Sequence, residues 1–288
     1  MGFGHRVYRA EDPRSRILKR VAKELGANTR PEDVTLPPYY PRDPVILQDW
    51  ADYLDSCRFT DKEVGDLMAR LEKEKLLDET VVFFLTDHGI SHARGKQFLY
   101  DEGTHVPFIV RGPGIARGAV RDDLIEHIDL AATSLALAGI EVPRWMQGRD
   151  LFASAHQKRD AVFAARDRCD ETMERIRSAR AADFKYIRNY MPERPHLQPC
   201  RYKDDKAVVQ KLRELHAAKK LDALAEKLLF APTRPAEELY DLRKDPDQLR
   251  NVAADPAYAS AKAKLSAQLM STLTAAQDPR VTGDGQTF

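Results

Sequence analysis

The segment ETVVFFLTDHG, residues 79–89, decides the fold. Every residue from Val81 to Leu85 is apolar, and most of them are β-branched or aromatic. Such a run before a polar turn predicts a strand that is buried on both faces of a sheet. The polar residues Thr86, Asp87 and His88 follow directly, so we expect them at the carboxyl end of the strand, where ligands bind in open α/β sheets.

The segments before this strand carry helical and extended patterns. Residues 12–26 and 45–77 have apolar residues at helical spacing, and a break in the second helix is predicted near Phe59-Thr60. Residues 27–44 contain five prolines, which predicts an extended connector with no room for a helix.

After the strand, the pattern continues with one more strand and one helix. Phe108-Ile109-Val110 predicts a second short buried strand, which stops at Gly112-Pro113-Gly114. Asp129 is predicted to cap a helix that runs to Leu137 and closes at Gly139.

Beyond about residue 157 the pattern changes to short strands and charged helices. Strands are predicted in 161–167, 184–190 and 237–245, and helices at roughly 206–228 and 258–275. This order predicts a smaller α+β domain with an antiparallel sheet, within a chain whose overall class is α/β.

Composition excludes several classes of function. Lysine and arginine number 46 and aspartate and glutamate 45, a net charge of +1, so no global field attracts nucleic acid or a membrane surface. No stretch is apolar and long enough to cross a bilayer. The three cysteines, Cys57, Cys169 and Cys200, form no CxxC pair that would indicate a zinc ribbon, and a disulfide between two of them is possible without being indicated.

The residues after the first strand carry the candidate chemistry. Asp87 offers an oxygen and His88 a ring nitrogen to a metal ion, and Gly89 lets the backbone turn away. Lys96 suits an anionic substrate group, and His92 could transfer a proton. Taken singly, each of these has a plain alternative, because Asp-His-Gly is a common turn and a loop lysine is usually solvated.

Five segments together narrow these alternatives, because they occur in one family's order. The segments are DVTLPPYYPRDP (33–44), RFTDKEVGDLMARLEKEKLLDETVVFFLTDHG (58–89), GKQFLYDEGTHVPFIVRGPG (95–114), HIDLAATSLALAGIEVPRWMQGRDLF (127–152) and RPAEELYDLRKDPDQLRNVAADP (234–256). With these segments the chain resembles the sulfatase family of the alkaline phosphatase superfamily, from about residue 32 to residue 280.

The resemblance implies a fold and a division into domains. Residues 32–150 would be the C-terminal part of the sulfatase catalytic domain, an incomplete mixed sheet flanked by helices. Residues 157–288 would be the smaller C-terminal domain. AARDRCDET (164–172) and FKYIRNYMPERP (184–195) look most like bacterial relatives of heparan N-sulfatase, N-sulfoglucosamine sulfohydrolase. That likeness implies a sulfated substrate, such as a glycosaminoglycan sugar.

The resemblance also implies roles for single residues. Asp87 and His88 match the late pair of metal ligands, and the metal in the family is calcium. Lys96 matches the lysine that contacts the sulfate group. Arg166 and Arg168, which flank Asp167, lie where the smaller domain could reach the substrate, although such a run is usually a solvated strand end.

The departures from the family pattern matter for activity. The family's nucleophile is a cysteine or serine in a C/S-x-P/A-x-R motif, oxidised to formylglycine. Cys57 is followed by RFTD, Cys169 by DETM and Cys200 by RYKD, so none fits, and the early metal-binding aspartates are missing too. We therefore expect a sulfuric ester or sulfamate hydrolase by family that is inactive or severely impaired as this chain. The alternatives are a non-catalytic binding or structural remnant and a phosphatase or phosphodiesterase of the same superfamily.

Residues 1–27 resemble a different family. MGFGHRVYRAEDPRSRILKRVAKELGA matches a citrate synthase segment in which His5 would be a catalytic histidine and Arg14 a carboxylate-binding arginine. Nothing after residue 30 resembles that enzyme, so this reading predicts no citrate synthase activity. The junction suggests a gene fusion, a misassembly or a misplaced start.

Location and association follow as expectations. The sequence as written starts without an apolar signal region, which predicts a cytoplasmic chain, whereas intact sulfatases are commonly periplasmic, secreted or lysosomal. A partial sheet would leave an unpaired edge, which predicts self-association.

Overall fold

The structure, a computed structural model, describes residues 29–282. Two antiparallel sheets organise this part of the chain. In the first sheet β1 (Val82–Leu85) pairs with β2 (Phe108–Arg111). The second sheet has the order β3-β4-β5-β6, with strands Val162–Cys169, Thr172–Arg180, Phe184–Asn189 and Glu237–Asp241. The predicted α/β class and the antiparallel C-terminal sheet are confirmed.

Helices flank both sheets. In chain order they are α1 (Pro44–Lys73), α2 (Asp101–Thr104), α3 (Ile128–Leu137), α4 (Arg201–Asp204), α5 (Ala207–Ala217), α6 (Ala223–Ala225), α7 (Ala259–Ala275) and α8 (Pro279–Thr282). A π-helical turn, Glu226–Phe230, continues α6. The predicted helix at 12–26 and the citrate synthase-like residues 1–27, with His5 and Arg14, lie outside the described residues.

The long helix α1 runs without the predicted break. The Asp43 side chain accepts a hydrogen bond from Val45 N at 2.9 Å, which caps its first turn. At the predicted break, Thr60 Oγ1 donates to Ser56 O at 3.1 Å, so the hydroxyl bonds back one turn and the helix continues. The prediction that the connector leaves no room for a helix was wrong at Pro31–Asp33, which form a short 3₁₀ helix, and Pro44 already belongs to α1. A turn stands at residues 38–40, and the other described residues of the connector lie outside helices and strands.

The predicted capping role of Asp129 was wrong, while the predicted end of its helix was right. Asp129 lies inside the first turn of α3, and its carboxylate accepts from Glu126 N at 2.9 Å and from Arg149 N at 2.8 Å. Both carboxylate oxygens also accept from Arg159 at 2.6 Å, so Asp129 ties three segments together. Gly139 adopts φ +71 just after α3, as a helix C-terminus favours.

One hydrophobic cluster joins the two predicted domains. From the first part of the chain it includes Tyr40, Ile46 and Leu99, and from the second part Ile187 and Leu212. All five side chains are buried. The boundary between 32–150 and 157–288 therefore stays a prediction about sequence, because the described residues of both parts share this core.

A second cluster fixes helix α7 on the C-terminal sheet. Leu265, Leu269 and Leu273 recur every four residues, so they share one face of the helix. They pack against Tyr186 on β5 and Leu239 on β6, and burial of each leucine contributes about 1.5–3 kcal/mol.

The prediction of strands buried on both faces was wrong for the first sheet. All residues of β1 are only half buried, and the Ile109 side chain of β2 is 61% exposed. Within residues 29–282, β1 has no strand neighbour except β2, so no further strand covers its edge. Strand β4 was not predicted at all, because four of the nine residues in its sequence TMERIRSAR are charged and the segment looks solvated.

Candidate functional site

The loop after β1 is folded back by close backbone contacts. Gly89 N donates to Gly103 O at 3.1 Å, and a Cβ at Gly89 would stand 1.7 Å from the Glu102 carbonyl oxygen. Lys96 N donates to Ile90 O at 2.7 Å, which closes the loop on itself. A side chain at residue 89 is therefore excluded by backbone atoms, and the loop holds its polar residues in fixed places.

Asp87 and His88 lie just beyond the end of β1. His88 Nε2 lies 3.4 Å from Asp87 Oδ2, while its Nδ1 lies 2.8 Å from Gly89 O. If Nδ1 carries the proton and donates it to this carbonyl, the Nε2 lone pair is free to bind a metal ion on the side of the Asp87 carboxylate. Metal-binding histidines are commonly oriented in this way by a hydrogen bond from the other ring nitrogen. The Asp87 side chain is 73% exposed and the His88 side chain 32%, so both side chains reach the surface.

The donor set at this point fits part of a calcium site. Calcium takes six to eight oxygen ligands, whereas Asp87 supplies a carboxylate and His88 a nitrogen. In the part of the chain that the structure describes, these two are not joined by a third His, Cys, Asp or Glu in a compact group of possible ligands. Other ligands would have to complete the site.

Lys96 is held by a tyrosine from a distant part of the chain. Its Nζ lies 3.4 Å from Tyr202 Oη and 4.6 Å from the centre of the Tyr202 ring. Ser91 Oγ lies 3.0 Å from the same phenol oxygen, and Lys206 Nζ lies 4.7 Å from the ring centre. No carboxylate of residues 29–282 lies within ion-pair distance of Lys96, so its charge is available to an anion.

Two lysines make the surroundings of Tyr202 electropositive. Burial would raise the pKa of the Tyr202 phenol, but the hydrogen bond with Ser91 and the charges of Lys206 and Lys96 outweigh burial and lower that pKa. The same positive potential favours a bound anion beside Lys96.

His92 is placed in the core and not on the open surface. Its Nε2 lies 2.5 Å from Asp49 Oδ2, and its ring lies 4.9 Å from the ring of Trp50. The residue is only 6% exposed, and its backbone carbonyl accepts from Lys203 Nζ at 2.6 Å. These contacts link α1 to the loop, and proton transfer by His92 stays a prediction.

Arg166 and Arg168 face opposite environments. Arg166 is buried, with its guanidinium 5.6 Å from the centre of the Phe98 ring. Arg168 is exposed, and its Nε donates to the backbone carbonyl of Asp170 at 2.5 Å. The structure therefore does not bring the two arginines together, and their contact with substrate stays a prediction.

Sequence reasoning missed the two side chains that fix the predicted site residues. Tyr202 anchors Lys96, and Asp49 anchors His92. Neither stands in a recognisable motif, since Tyr202 lies in a charged run and Asp49 on an ordinary helical face. Only three-dimensional proximity reveals them. Among residues 29–282, no helix is both long enough and apolar enough to cross a membrane.

Comparison with known families finds two matches. The family model "Sulfatase" matches residues 6–140, and the model "N-sulphoglucosamine sulphohydrolase, C-terminal" matches residues 88–228. The two overlap at 88–140 and together run from residue 6 to residue 228. They cover the loop with Asp87, His88 and Lys96 as well as Tyr202.

Similar proteins agree with these matches. An ulvan-active sulfatase of Formosa agariphila is 34% identical over 245 residues, which are 84% of this chain and 41% of that protein. Human N-sulphoglucosamine sulphohydrolase is 27% identical over 87% of this chain and 53% of its own length. A structure solved with its substrate D-glucosamine-2-N,6-O-disulfate shares the fold at 22% identity and a TM-score of 0.60, over 94% of this chain and 48% of that one.

These comparisons show the family of the chain and how much of its relatives the chain covers. The chain spans about half the length of the curated relatives that it matches. Both family models, the relatives and the fold agree, and the resemblance inferred from the five ordered segments is confirmed. The chain belongs to the sulfatase family.

Proposed function

We propose that this chain supplies part of the site of a hydrolase that cleaves a sulfuric ester or a sulfamate. In this proposal Asp87 and His88 contribute two ligands to a divalent cation, and Lys96 binds the sulfate group. The observation that carries the proposal is the loop of residues 87–96, which presents an exposed carboxylate, an imidazole and a lysine that contacts a tyrosine and no carboxylate within residues 29–282.

Each residue has a physical task in this proposal. A bound divalent cation would withdraw electron density from the sulfate oxygens. The Lys96 ammonium neutralises a second part of the sulfate charge, and the Tyr202 phenol holds the lysine in place. Positioning by Tyr202 limits the entropy that Lys96 loses when substrate binds.

The substrate class is a sulfated sugar. Support comes from the relatives, which include an enzyme named for ulvan and one named for N-sulfoglucosamine, and from the solved structure bound to a disulfated glucosamine. The electropositive surroundings of Tyr202 suit such an anionic sugar, since Lys206 adds a second cation beside Lys96.

Turnover requires a nucleophile that these 288 residues do not encode. None of Cys57, Cys169 and Cys200 stands in a C/S-x-P/A-x-R segment, so no formylglycine can form by that route. We propose that the chain alone binds sulfated sugar and hydrolyses little or none of it.

The proposal is tested by binding of D-glucosamine N-sulfate to the purified chain, measured by calorimetry with and without CaCl₂. Lys96→Met removes a charged hydrogen-bond partner worth about 1.5–3 kcal/mol, so we expect the dissociation constant to rise at least about tenfold. Asp87→Asn should remove the part of the affinity that depends on calcium.

Lys244→Met is the matched control. Lys244 Nζ donates to Tyr258 Oη at 3.2 Å and lies 5.6 Å from that ring centre, so it is also a lysine held by a tyrosine. It should bind the sugar as the unaltered chain does. An equal loss in both lysine variants would show that charge alone drives binding and would overturn the assignment of Lys96. Release of sulfate at an enzymatic rate by the chain alone would refute the requirement for an external nucleophile.

A further inference from the structure

Two cysteines lie side by side at a position that the proposed hydrolysis does not use. Cys169 ends β3 and Cys200 directly precedes α4, and both are free thiols. A single side-chain nitrogen, Gln97 Nε2, lies 2.7 Å from Cys169 Sγ and 3.5 Å from Cys200 Sγ. The two sulfur atoms lie within 4.8 Å of each other.

Two buried cations lie beside this thiol pair. Arg166 is only 9% exposed, and its Nε and Nη1 have no hydrogen-bond partner within residues 29–282. Lys203 is 1% exposed. Burial lowers the pKa of both groups, that of Lys203 to about 7, while the charges of the two cysteines raise both pKa values. A thiolate here would therefore compensate buried positive charge.

The pair shares its proton unequally. The pKa of Cys200 is lowered, mainly because the Cys169 thiol donates a hydrogen bond to it. Burial opposes this effect, while hydrogen bonds from Gln97 and the backbone N–H of Lys203 add to it. The pKa of Cys169 is raised, first by that same hydrogen bond, then by burial, and also by the negative charge of Asp170. Cys200 is thus the thiol that loses its proton more readily, and Cys169 is the more exposed sulfur of the two.

A metal ion is the competing occupant, and the local charges oppose it. Asp170 completes a group of three possible ligands with the two sulfur atoms. Zinc, the usual partner of thiolates, takes four ligands, and Arg166 and Lys203 would both repel a divalent cation. The same two cations do not oppose a neutral disulfide.

We propose that Cys169 and Cys200 are a redox-active dithiol that closes reversibly to a disulfide. The oxidant is a small-molecule disulfide such as oxidised glutathione. The half-exposed Cys169 sulfur attacks it, loses its proton to solvent and releases one glutathione thiol. The Cys200 thiolate then attacks the Cys169 sulfur, breaks the mixed disulfide and releases the second glutathione. Two protein thiols are oxidised and one glutathione disulfide is reduced.

The bond would form beside the segments that carry Lys96 and Tyr202. Gln97 directly follows Lys96, and Cys200 lies two residues before Tyr202. The disulfide would link the β3–β4 hairpin to the segment that carries Tyr202, so oxidation should rigidify the surroundings of Lys96. The inference stands on the cysteine geometry and does not depend on sulfate binding.

The test is equilibration of the purified chain with oxidised and reduced glutathione, followed by mass spectrometry and thiol counting. We expect two of the three thiols to disappear, with loss of two hydrogen atoms and a peptide cross-link between Cys169 and Cys200. Cys57→Ser should behave in the same way, because Cys57 is exposed on α1. Cys169→Ser and Cys200→Ser should each abolish the cross-link. The closed loop of about 30 residues should raise the melting temperature by roughly 5–10 °C, reversibly on reduction.

The rate of closure tests the role of the buried charge. Lys203→Met should slow disulfide formation at pH 7 by about threefold, because loss of the nearby charge should lower the small thiolate fraction of Cys169 about tenfold, and the more basic sulfur offsets part of that loss. Lys203→Arg keeps the charge and should restore the rate, and the exposed Lys219→Met should leave it unchanged. Retention of all three thiols, stable glutathione adducts on both cysteines, or full protection of the pair by one equivalent of zinc would each overturn the proposal.

Discussion

Loss of one charge from the buried Glu174–Arg234 pair should destabilise the protein severely. Both side chains are 0% exposed, and Arg234 Nη2 donates to a Glu174 carboxylate oxygen. The second carboxylate oxygen accepts from Gln198 Nε2 at 2.8 Å. Glu174→Gln keeps the shape and this contact but leaves Arg234 as an unpaired buried cation, which costs about 3–5 kcal/mol of unfolding free energy.

Urea denaturation of a double-mutant cycle measures that cost. Glu174→Leu with Arg234→Met removes both charges, so the pair should be destabilised much less than the sum of its single variants. The exposed ion pair Lys62–Asp66, with side chains 51% and 66% exposed, is the control, and Asp66→Asn should change stability by less than about 1 kcal/mol. A Glu174→Gln protein within about 1 kcal/mol of the parent would show that this buried charge is solvated in a way that the structure does not reveal, and the reasoning would fail.

Two further predictions concern the loop after β1 and the pH range of stability. Gly89→Ala should lower the free energy of unfolding by at least about 2 kcal/mol, because the new Cβ would overlap the Glu102 carbonyl oxygen. The control is Gly65→Ala on α1, whose Cβ would meet nothing within 4 Å, and this change should stabilise the protein by about 0.5–1 kcal/mol. Equal urea midpoints for the two variants would contradict this prediction. Burial lowers the pKa of His196 to about 4 from a usual value near 6.5, so the unfolded chain binds the proton more readily between these values. Stability should therefore fall as the pH drops from 6.5 to 4. His196→Phe should flatten that part of the profile of urea midpoint against pH, and an unchanged slope would contradict the assignment.

The local sequence pattern predicted part of the helices and strands. Helix α7 matches the charged helix predicted at roughly 258–275, and β3, β5 and β6 match the short strands predicted in 161–167, 184–190 and 237–245. Strand β4 was not predicted because Glu174 and Arg177 are buried as ion pairs, and a sequence pattern of charged residues indicates exposure. The partial exposure of β1 was not predicted either, because an apolar sequence does not indicate how many neighbouring elements will cover the strand.

The candidate site was predictable only in part. Asp87, His88 and Lys96 stand in ordered segments that resemble a family, so their types and spacing carried information. Tyr202 and Asp49 did not, because a tyrosine in a charged run and an aspartate on a helix are common everywhere. Their importance arises from contacts over long sequence separations, which periodicity and local propensity cannot encode.

The contact between Lys96 and Tyr202 also sets an order for biosynthesis. The two residues are 106 positions apart, so at about 5–20 residues per second the tyrosine is made roughly 5–20 s after the lysine. Lys203, whose ammonium donates to the His92 carbonyl, arrives just as late. During that interval the nascent loop has neither its anchor nor its cover. A chain that stalls on the ribosome before residue 202 would leave the anion-binding lysine unanchored, exposed to chaperones and proteases.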